Sequence, residues 1–399
     1  MRRSWLLAAT LALVGANSCG DAKNGREAGS SSEGAPPARL TAAKSRPRLL
    51  PLDSIVLQET DSVYVGSPGA FFQVDSEGNL FVPDEATNRL LEYDRRGRYV
   101  RSIGRSGGGP GEFRDIGAVG LATDSLILQD SHGNRRINLF NTRTGKYLGQ
   151  FRYEGYLGGL FAGRDRLWLA LSDAGRRRII AFVPWSRLRS PMLEYAESAV
   201  VASFASRPSY FERYPLLNEW DDMKVVELDG GPMVAMGGSD HLVHYAWDGV
   251  AQDTVEIPVV ERRGVKREIL ERYFKQRPGT ASEARRLSEE SGRAVTALLG
   301  LWLLPDGSQL VWYQDPRLEG GGRILKGIAF LSAVTKDGSR ACVDARVEAP
   351  GSGRPRLDAS GDTILVLEQV VPSAGPPRVT TVVRRYLFDS SACDWLPTH

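Results

Sequence analysis

Histidine and aspartate side chains that could bind a metal ion follow several short hydrophobic runs of the chain. Imidazole nitrogens are common zinc ligands, and carboxylate oxygens are the ligands that calcium prefers. The turn residues of this kind are Asp84, Asp130, His132, Asp173, Asp240, His241 and Asp315. A zinc site needs three or four ligands, however, and a turn aspartate more often accepts hydrogen bonds from the backbone of its own turn. We therefore expect no metal cofactor, with calcium or zinc at these residues as the alternative.

One serine has the spacing of a hydrolase nucleophile. Residues 104–108 read Gly-Arg-Ser-Gly-Gly, which matches the glycine-x-serine-x-glycine pattern. That pattern requires a helix directly after the serine, whereas Gly-Pro-Gly follows at 109–111. The sequence also contains no phosphate-binding loop and no metalloprotease helix. We therefore predict a protein without catalytic activity.

Aromatic and charged side chains in loops are candidates for binding a partner. The segment 206–220 contains Tyr210, Tyr214 and Trp220, and aromatic residues often anchor partners. The same side chains could instead pack a long loop onto the fold. The candidate binding residues outside this segment are Asn88, Arg89, Arg105, Glu112 and the seven turn residues named above.

Short hydrophobic runs separated by turns supply the elements that position these residues. Between residues 72 and 104, four such runs alternate with Asp, Gly and Asn turns, as in antiparallel strands joined by tight turns. Four strands in about 40 residues make one propeller blade. Second strands of five further blades are predicted at 125–130, 166–173, 232–240, 309–315 and 363–368. The sequence thus predicts an all-β fold, a six-bladed β-propeller with four-stranded blades.

The residues after the first blade carry a resemblance to a known family. Residues 103–113 read Ile-Gly-Arg-Ser-Gly-Gly-Gly-Pro-Gly-Glu-Phe, which resembles the blade connection of the NHL-repeat six-bladed propellers. The chain is also similar to bacterial six-bladed propeller lipoproteins. Residues 53–58 precede the first blade and are expected to pair with the last blade, because an open ring would leave unpaired strand edges. Lactonases and lyases with propeller folds suggest the alternative function by analogy of fold. That alternative is a metal-assisted lyase or hydrolase that uses His132, His241 and some of the turn aspartates.

Two insertions interrupt the regular spacing of the blades, the aromatic segment at 206–220 and a helical one at 259–299. In the second, Val265, Ile269 and Tyr273 recur on one helix face, and 280–283 read as a capping box. This insertion is predicted to be a solvated helical pair, with an anion-binding lid as the alternative. Connections between blades and turns after second strands open on the same face of a propeller. All candidate binding residues are therefore expected at one mouth of the central channel.

The N-terminal residues predict export and attachment to a membrane. Residues 1–18 combine two arginines with a short apolar run, as in a signal peptide, and Cys19 follows Ala-Asn-Ser as in a bacterial lipoprotein. Ordinary signal-peptide cleavage at the same bond is the alternative. Residues 19–50 would then be the lipidated cysteine and a disordered tether, and 51–399 the propeller. This predicts a periplasmic or cell-surface location, with the membrane contacted through lipid.

The charge balance argues against nucleic acid as a partner, and the cysteine count predicts a disulfide. Lys+Arg 51 against Asp+Glu 48 gives a formal net charge of +3, too balanced for a nucleic-acid-binding protein. If Cys19 is acylated, Cys342 and Cys393 remain as an even pair for a disulfide, with two free thiols as the alternative. We expect a monomer that binds an envelope protein, peptide or glycan.

Overall fold

The computed structural model describes most of the chain from residue 47 onward. The described residues are 47–69, 71–122, 124–131, 134–154, 156–172, 178–188, 200–206, 223–237, 239–264, 266, 279–280, 282–283, 286–287, 296–319, 323–347, 356–371 and 379–398. All of them lie within one compact unit, Arg39–His399.

Apart from one two-stranded ribbon, the described strands form six sheets that follow one another along the chain as propeller blades. Blade 1 contains Gln73–Val74, Leu80–Asp84, Arg89–Tyr93 and Tyr99–Ile103. Blade 2 contains Ile116–Leu121, Ser125–Asp130, Arg136–Asn141 and Tyr147–Arg152. Blade 3 contains Tyr156–Ala162, Arg166–Ser172, Arg178–Pro184 and Ala202–Ser206.

The second half of the ring follows the same order from inner to outer strand. Blade 4 contains Met223–Leu228, Gly231–Met236, His241–Tyr245 and Ala251–Glu256. Blade 5 contains Ala297–Leu303, Gln309–Glu319, Arg323–Val334 and Arg340–Val347, with Leu396–Pro397 as a fifth strand. Blade 6 contains Arg356–Ser360, Thr363–Val370, Thr380–Asp389 and, from the start of the chain, Arg48–Val56. The predicted six blades are confirmed.

The second strands are hydrophobic on both faces because each blade packs against two neighbours. Leu80–Asp84, Ser125–Asp130 and Gly231–Met236 are buried at every residue, which explains their continuous apolar runs. The hydrophobic core is correspondingly divided into six clusters of buried residues, one between each pair of neighbouring blades. Trp168 belongs to the cluster between blades 3 and 4.

The ring is closed by the predicted pairing of an N-terminal strand with the last blade. Arg48–Val56 pairs antiparallel with Thr380–Asp389, from Arg48 opposite Asp389 to Val56 opposite Val382. The strand begins inside the segment predicted as tether. Beyond it, Gln58 N–H donates to Gly97 O in blade 1 at 2.7 Å. Gly97 has a φ of 77°, and a Cβ there would lie 2.4 Å from Val56 O, so this seam requires glycine.

The C-terminal segment fastens blade 6 to blade 5. Leu396 and Pro397 pair with Ala341 and Arg340 on the outer strand of blade 5. Cys342 in that strand forms a disulfide with Cys393, with the two Cα atoms 5.9 Å apart. The three strands of blade 6 between Arg356 and Asp389 lie within the chain loop that this disulfide closes.

Helix is scarce among the described residues. Trp185–Leu188 forms a short helix after the third strand of blade 3. Most of the predicted helical insertion lies outside the described residues, but Glu283 N–H donates to Thr280 Oγ1 at 3.2 Å, as the capping box requires. No described helix is long and apolar enough to cross a membrane.

Candidate functional site at the channel mouth

The turn aspartates of blades 1 and 2 hold the chain segments that lead into their blades. Asp84 Oδ1 accepts the backbone N–H groups of Gly66 and Ser67 at 3.1 and 2.9 Å. Asp130 Oδ1 accepts those of Arg114 and Asp115, both at 3.1 Å. Thr87 and Asn134 donate to the second oxygens from the aspartates' own turns. Both carboxylates are fully buried, so they serve the fold and are not exposed to a ligand.

The aspartate of blade 5, Asp315, also accepts hydrogen bonds from the connection that leads into its blade. Asp315 accepts Thr296 Oγ1 at 2.6 Å and the Arg263 backbone N–H at 2.9 Å. Arg263 Nε lies 3.6 Å from the same carboxylate. Burial raises the pKa of Asp315, against the opposing effect of the Thr296 hydrogen bond. The residues that Asp315 holds belong to the connection between blades 4 and 5.

Asp240 takes part in a buried ionic network that the sequence did not disclose. The Arg262 guanidinium, which is fully buried, donates to Asp240 Oδ1 from Nε at 3.2 Å and from Nη2 at 3.1 Å. Its Nη1 donates to Asp344 Oδ1 at 2.6 Å, and carbonyls of Ile257 and Pro258 accept the other two N–H groups. All five donors of the guanidinium are therefore satisfied. Burial acts to lower the pKa of Arg262, but the two carboxylates outweigh it and raise the pKa.

Asp344 also fixes the backbone of this connection. Its Oδ2 accepts the N–H groups of Val260, Glu261 and Arg262 at 2.7 to 3.2 Å. The Arg262 guanidinium lies 4.3 Å from the centroid of the Tyr313 ring, within range of a cation–π interaction. The beginning of the predicted second insertion is thus rigidly attached to blades 4 and 5.

The glycine-rich connection of blades 1 and 2 is the loop that the sequence predicted. Arg105–Ser106 and Glu112–Phe113 pair as a short parallel ribbon. Arg105 Nε donates to Glu112 Oε1 at 2.8 Å, and Gly109 N–H donates to Glu112 Oε2 at 2.7 Å. The Gly109 hydrogen bond and, second, Arg105 lower the pKa of Glu112. Ser106 lies in this ribbon and precedes no helix, so it is not a nucleophile elbow.

Asn88 and Arg89 belong to the same end of the ring as Asp84. Asn88 has a φ of 53°, and its Oδ1 accepts the Ile116 N–H of blade 2 at 3.2 Å. Arg89 Nε lies 4.0 Å from Asp84 Oδ2. Asn88 therefore links blades 1 and 2.

His241 contacts a serine and a glutamate. Its Nδ1 lies 3.2 Å from Ser239 Oγ, and its Nε2 lies 3.6 Å from Glu256 Oε2. Ser239 Oγ also accepts the His241 backbone N–H at 3.0 Å, as in an ordinary serine turn. Among the described residues, no three His, Cys, Asp or Glu side chains are grouped as a metal site requires. Five candidates lie outside the described residues, namely His132, Asp173, Tyr210, Tyr214 and Trp220.

A cleft at the ring closure opens on the mouth side and was not predicted. Its volume is about 550 Å³, and it is lined by residues 59–61, 64–66, Gln369 and Val379. Glu59 Oε1 accepts the Val65 N–H at 3.1 Å and Thr381 Oγ1 at 2.9 Å, and Gln369 Nε2 donates to Val65 O at 2.8 Å. Tyr64 and Val379 are each 46% exposed. The cleft thus has a hydrogen-bonded floor, and its lining combines the apolar surface of Tyr64 and Val379 with the polar residues 59–61 and Gln369.

Two charged residues are buried where the inner strands meet. Asp358 of blade 6 accepts Val74 N–H of blade 1 at 2.8 Å and Trp302 Nε1–H of blade 5 at 3.0 Å. Burial among these neutral donors raises the pKa of Asp358 to about 7. Lys224 of blade 4 places its Nζ 4.4 Å from the centroid of the Phe71 ring. Asp358 thus links blade 6 to its two neighbours, whereas Lys224 reaches from blade 4 to the residue that precedes the first strand of blade 1.

Comparisons with known proteins agree with this architecture. Residues 48–156 match the family model DUF5128, described as a 6-bladed beta-propeller. A candidate exported protein from Bacteroides fragilis superposes with a TM-score of 0.56 at 10% identity, covering 87% of this chain and 98% of that chain. A member of the DUF4221 family from Bacteroides vulgatus also gives a TM-score of 0.56, at 9% identity, covering 86% and 98%.

These likenesses, at such low identity, concern the fold. Among curated protein sequences, none matches the chain. The NHL type of repeat stays a prediction. Taken with the six sheets, the comparisons identify the chain as an all-β, six-bladed propeller.

Proposed function

We propose that the protein is an exported, lipid-anchored propeller that binds an envelope partner at the channel mouth without catalysis. The cleft at the ring closure carries this proposal. Most described candidates among the turn residues are engaged in holding the fold, whereas Tyr64 and Val379 present apolar surface on a fixed floor. A partly exposed tyrosine offers contact area and a hydroxyl at low entropic cost, as protein-binding surfaces require.

A protein or peptide suits this cleft better than a glycan. Its lining includes an aromatic ring and an aliphatic side chain. Val371, two residues after Gln369 of that lining, is itself 58% exposed. Glu59 and Asp61 supply carboxylates at the same cleft. We expect a monomer that captures an extended segment bearing apolar and basic side chains, and no nucleic acid.

Export and anchoring are supported by three observations. The N-terminal residues have the pattern of a signal peptide ending at Cys19. The Cys342–Cys393 disulfide suits an oxidising compartment. A protein of similar fold is described as a candidate exported protein.

Site-specific cross-linking tests the mouth. A photoreactive amino acid at position 64, introduced in cells, should yield a discrete cross-linked product, and the Val379→Ser variant should weaken it. The control position is Val250, which is 56% exposed at the start of the outer strand of blade 4. Equal products at positions 64 and 250, or none at position 64, would contradict binding in the cleft.

The anchor has a separate test. Cys19→Ala should move the protein from the membrane fraction to the soluble fraction after export. Metabolic labelling with a fatty acid should mark the natural chain and not the variant. Labelling of the variant would exclude Cys19 as the acylated residue.

The absence of a metal cofactor is tested by elemental analysis. The purified protein should contain no stoichiometric zinc or calcium before chelation. One tightly held ion per chain that is lost in His132→Ala or His241→Ala would instead support the metal-assisted lyase or hydrolase.

A further inference from the structure

The face opposite the mouth carries a patch of cations and exposed aliphatic side chains. This lower face contains the turns between first and second strands and between third and fourth strands of each blade. At its rim, the turns 94–98 and 142–146 and the paired residues Arg48 and Asp389 hold six cations and two acids. The cations are Arg48, Arg95, Arg96, Arg98, Arg143 and Lys146.

Two of these cations border a cleft and are available to a ligand. The cleft in blade 1 has a volume of about 580 Å³ and is lined by Ser76, Glu77, Asn79 and residues 94–96 and 98. Arg98 is engaged by Asp94 at 2.6 Å. The guanidinium groups of Arg95 and Arg96 have no hydrogen-bond or ion-pair partner in the part of the chain that the structure describes. Exposed guanidinium groups of this kind bind phosphate oxygens.

Aliphatic side chains stand exposed beside the cations. Val100 is 47% exposed and Leu148 54%, and each is the second residue of an outer strand, directly after the turn 94–98 or 142–146. Leu52, at the middle of the outer strand of blade 6, is 53% exposed. The turns between first and second strands carry the acids Asp75, Glu77 and Asp124, and Glu77 lines the same cleft as Arg95 and Arg96. The excess of positive charge therefore belongs to the turns between third and fourth strands. Cations next to aliphatic groups suit the boundary between phosphate headgroups and acyl chains.

The chain joins the propeller at this same face. Arg48 begins the outer strand of blade 6 at its lower end, because it pairs with Asp389, where the preceding strand of that blade ends. Residues 20–46 are therefore linked covalently to the lower rim. A lipid on Cys19 would therefore connect the propeller to the membrane through this rim.

We propose that the lower rim of blades 6, 1 and 2 docks on an anionic phospholipid surface, with headgroup phosphates bound by Arg95 and Arg96. The proposal rests on the proposed anchor for the orientation alone, since the cations and aliphatic groups belong to the propeller. The consequence is a fixed orientation in which the mouth points away from the membrane.

Vesicle binding by the unacylated protein tests this proposal. The chain from residue 19 with Cys19→Ala is mixed with phosphatidylcholine vesicles, with or without phosphatidylglycerol, and sedimented. It should bind the anionic vesicles, and added salt should weaken binding. Each cation near an anionic surface contributes about 1 kcal/mol, so Arg95→Glu with Arg96→Glu should lower the partition coefficient at least about tenfold.

A matched variant controls for net charge. Arg114 and Arg152 are exposed at the mouth end, so Arg114→Glu with Arg152→Glu changes the net charge equally while leaving the lower rim intact. This control should bind the vesicles better than the Arg95/Arg96 variant. Val100→Ser with Leu148→Ser should weaken the binding that persists at high salt.

The outcomes separate this proposal from the proposed function. Equal binding by the two charge variants, or no preference for phosphatidylglycerol, would overturn docking. Either result leaves the Cys19 anchor and the mouth cross-link as they are. Conversely, failure of fatty-acid labelling at Cys19 would remove the anchor without changing vesicle binding by the Cys19→Ala chain.

Discussion

Two connections at the mouth, from blade 1 to blade 2 and from blade 4 to blade 5, are fastened by buried arginines with opposite origins. Arg136 belongs to the third strand of blade 2 and reaches out to the loop, donating to Gly108 O, Gly109 O and Glu112 O at 2.6 to 3.1 Å. Arg262 belongs to the connection and reaches into the blades, where Asp240 and Asp344 accept from it. The first arginine binds mainly carbonyls, and the second binds two carboxylates.

The difference follows from the length of the two connections. The glycine-rich loop is short, so its backbone carbonyls converge over one side chain of the next blade. The connection from 257 to 296 is long and is attached to the blades through Arg262. Two carboxylates hold a guanidinium more strongly than carbonyl groups do. An arginine between two carboxylates is also more costly to remove, because the charges left behind stay buried.

The largest loss of stability is therefore expected on replacing Arg262. Arg262→Met should lower the free energy of unfolding by about 3–5 kcal/mol, because Asp240 and Asp344 would lose their buried cation. Urea denaturation measures this loss. Adding Asp344→Asn to the variant should recover part of the stability. A loss below about 1 kcal/mol, the scale of an exposed ion pair, would show that solvent reaches the network.

A smaller loss is expected at Arg136. Arg136→Met should cost about 2–3 kcal/mol, since three carbonyls lose a charged donor and Asp130 loses a neighbouring cation at 3.4 Å. Limited proteolysis should then cut within residues 105–113 before the rest of the ring. An Arg136→Met protein as unstable as Arg262→Met would erase the contrast between carbonyl and carboxylate partners.

Asp358 extends the contrast to a buried carboxylate whose hydrogen-bond donors are all neutral. Its pKa is raised by burial from 3.8 to about 7, so the folded protein binds more protons than the unfolded chain between these values. The contribution of Asp358 to the free energy of unfolding is therefore greatest below pH 3.8. It falls as the pH rises to about 7, by at most about 1.4 kcal/mol per pH unit. Asp358→Asn should flatten this slope in denaturation curves measured across that range. An unchanged slope would mean that Asp358 is ionised throughout.

The smallest effect is expected at the exposed ion pair of the same glycine-rich loop. The Arg105 side chain is 80% exposed, so Arg105→Ala should leave the unfolding midpoint unchanged within error. The pKa of Glu112 should rise in this variant and stay below its ordinary value, because the Gly109 hydrogen bond remains. Carbon-detected NMR titration of the Glu112 carboxyl measures how far its pKa rises in the variant and how much of the lowering persists.

Strand periodicity made the fold predictable, whereas the mouth depended on contacts distant in sequence. Runs such as 80–84 and 125–130 are buried on both faces, and this burial leaves a continuous apolar pattern. Arg262 and Asp344 are 82 residues apart, and the φ of 62° at Asp344 has no signal in the sequence. Asp84 and Asp130 end their second strands and Asp240 follows one, whereas Asp315, predicted in a turn, lies inside the longer strand Gln309–Glu319. Asp84 and Asp130 also bind the preceding connection as well as their own turns. That difference arises because the connection's unpaired amides arrive beside them only in the assembled ring.

Both ends of the described chain meet the outer strand of blade 5. Leu396–Pro397 pairs with it, and Arg48–Val56 also contacts it. A circular permutant that links the old ends and opens at the 142–146 turn should fold to the same propeller. In such a permutant the N-terminal segment with Cys19 would join the propeller at blade 2. The choice of the opened turn would therefore set which side of the propeller is attached to the membrane.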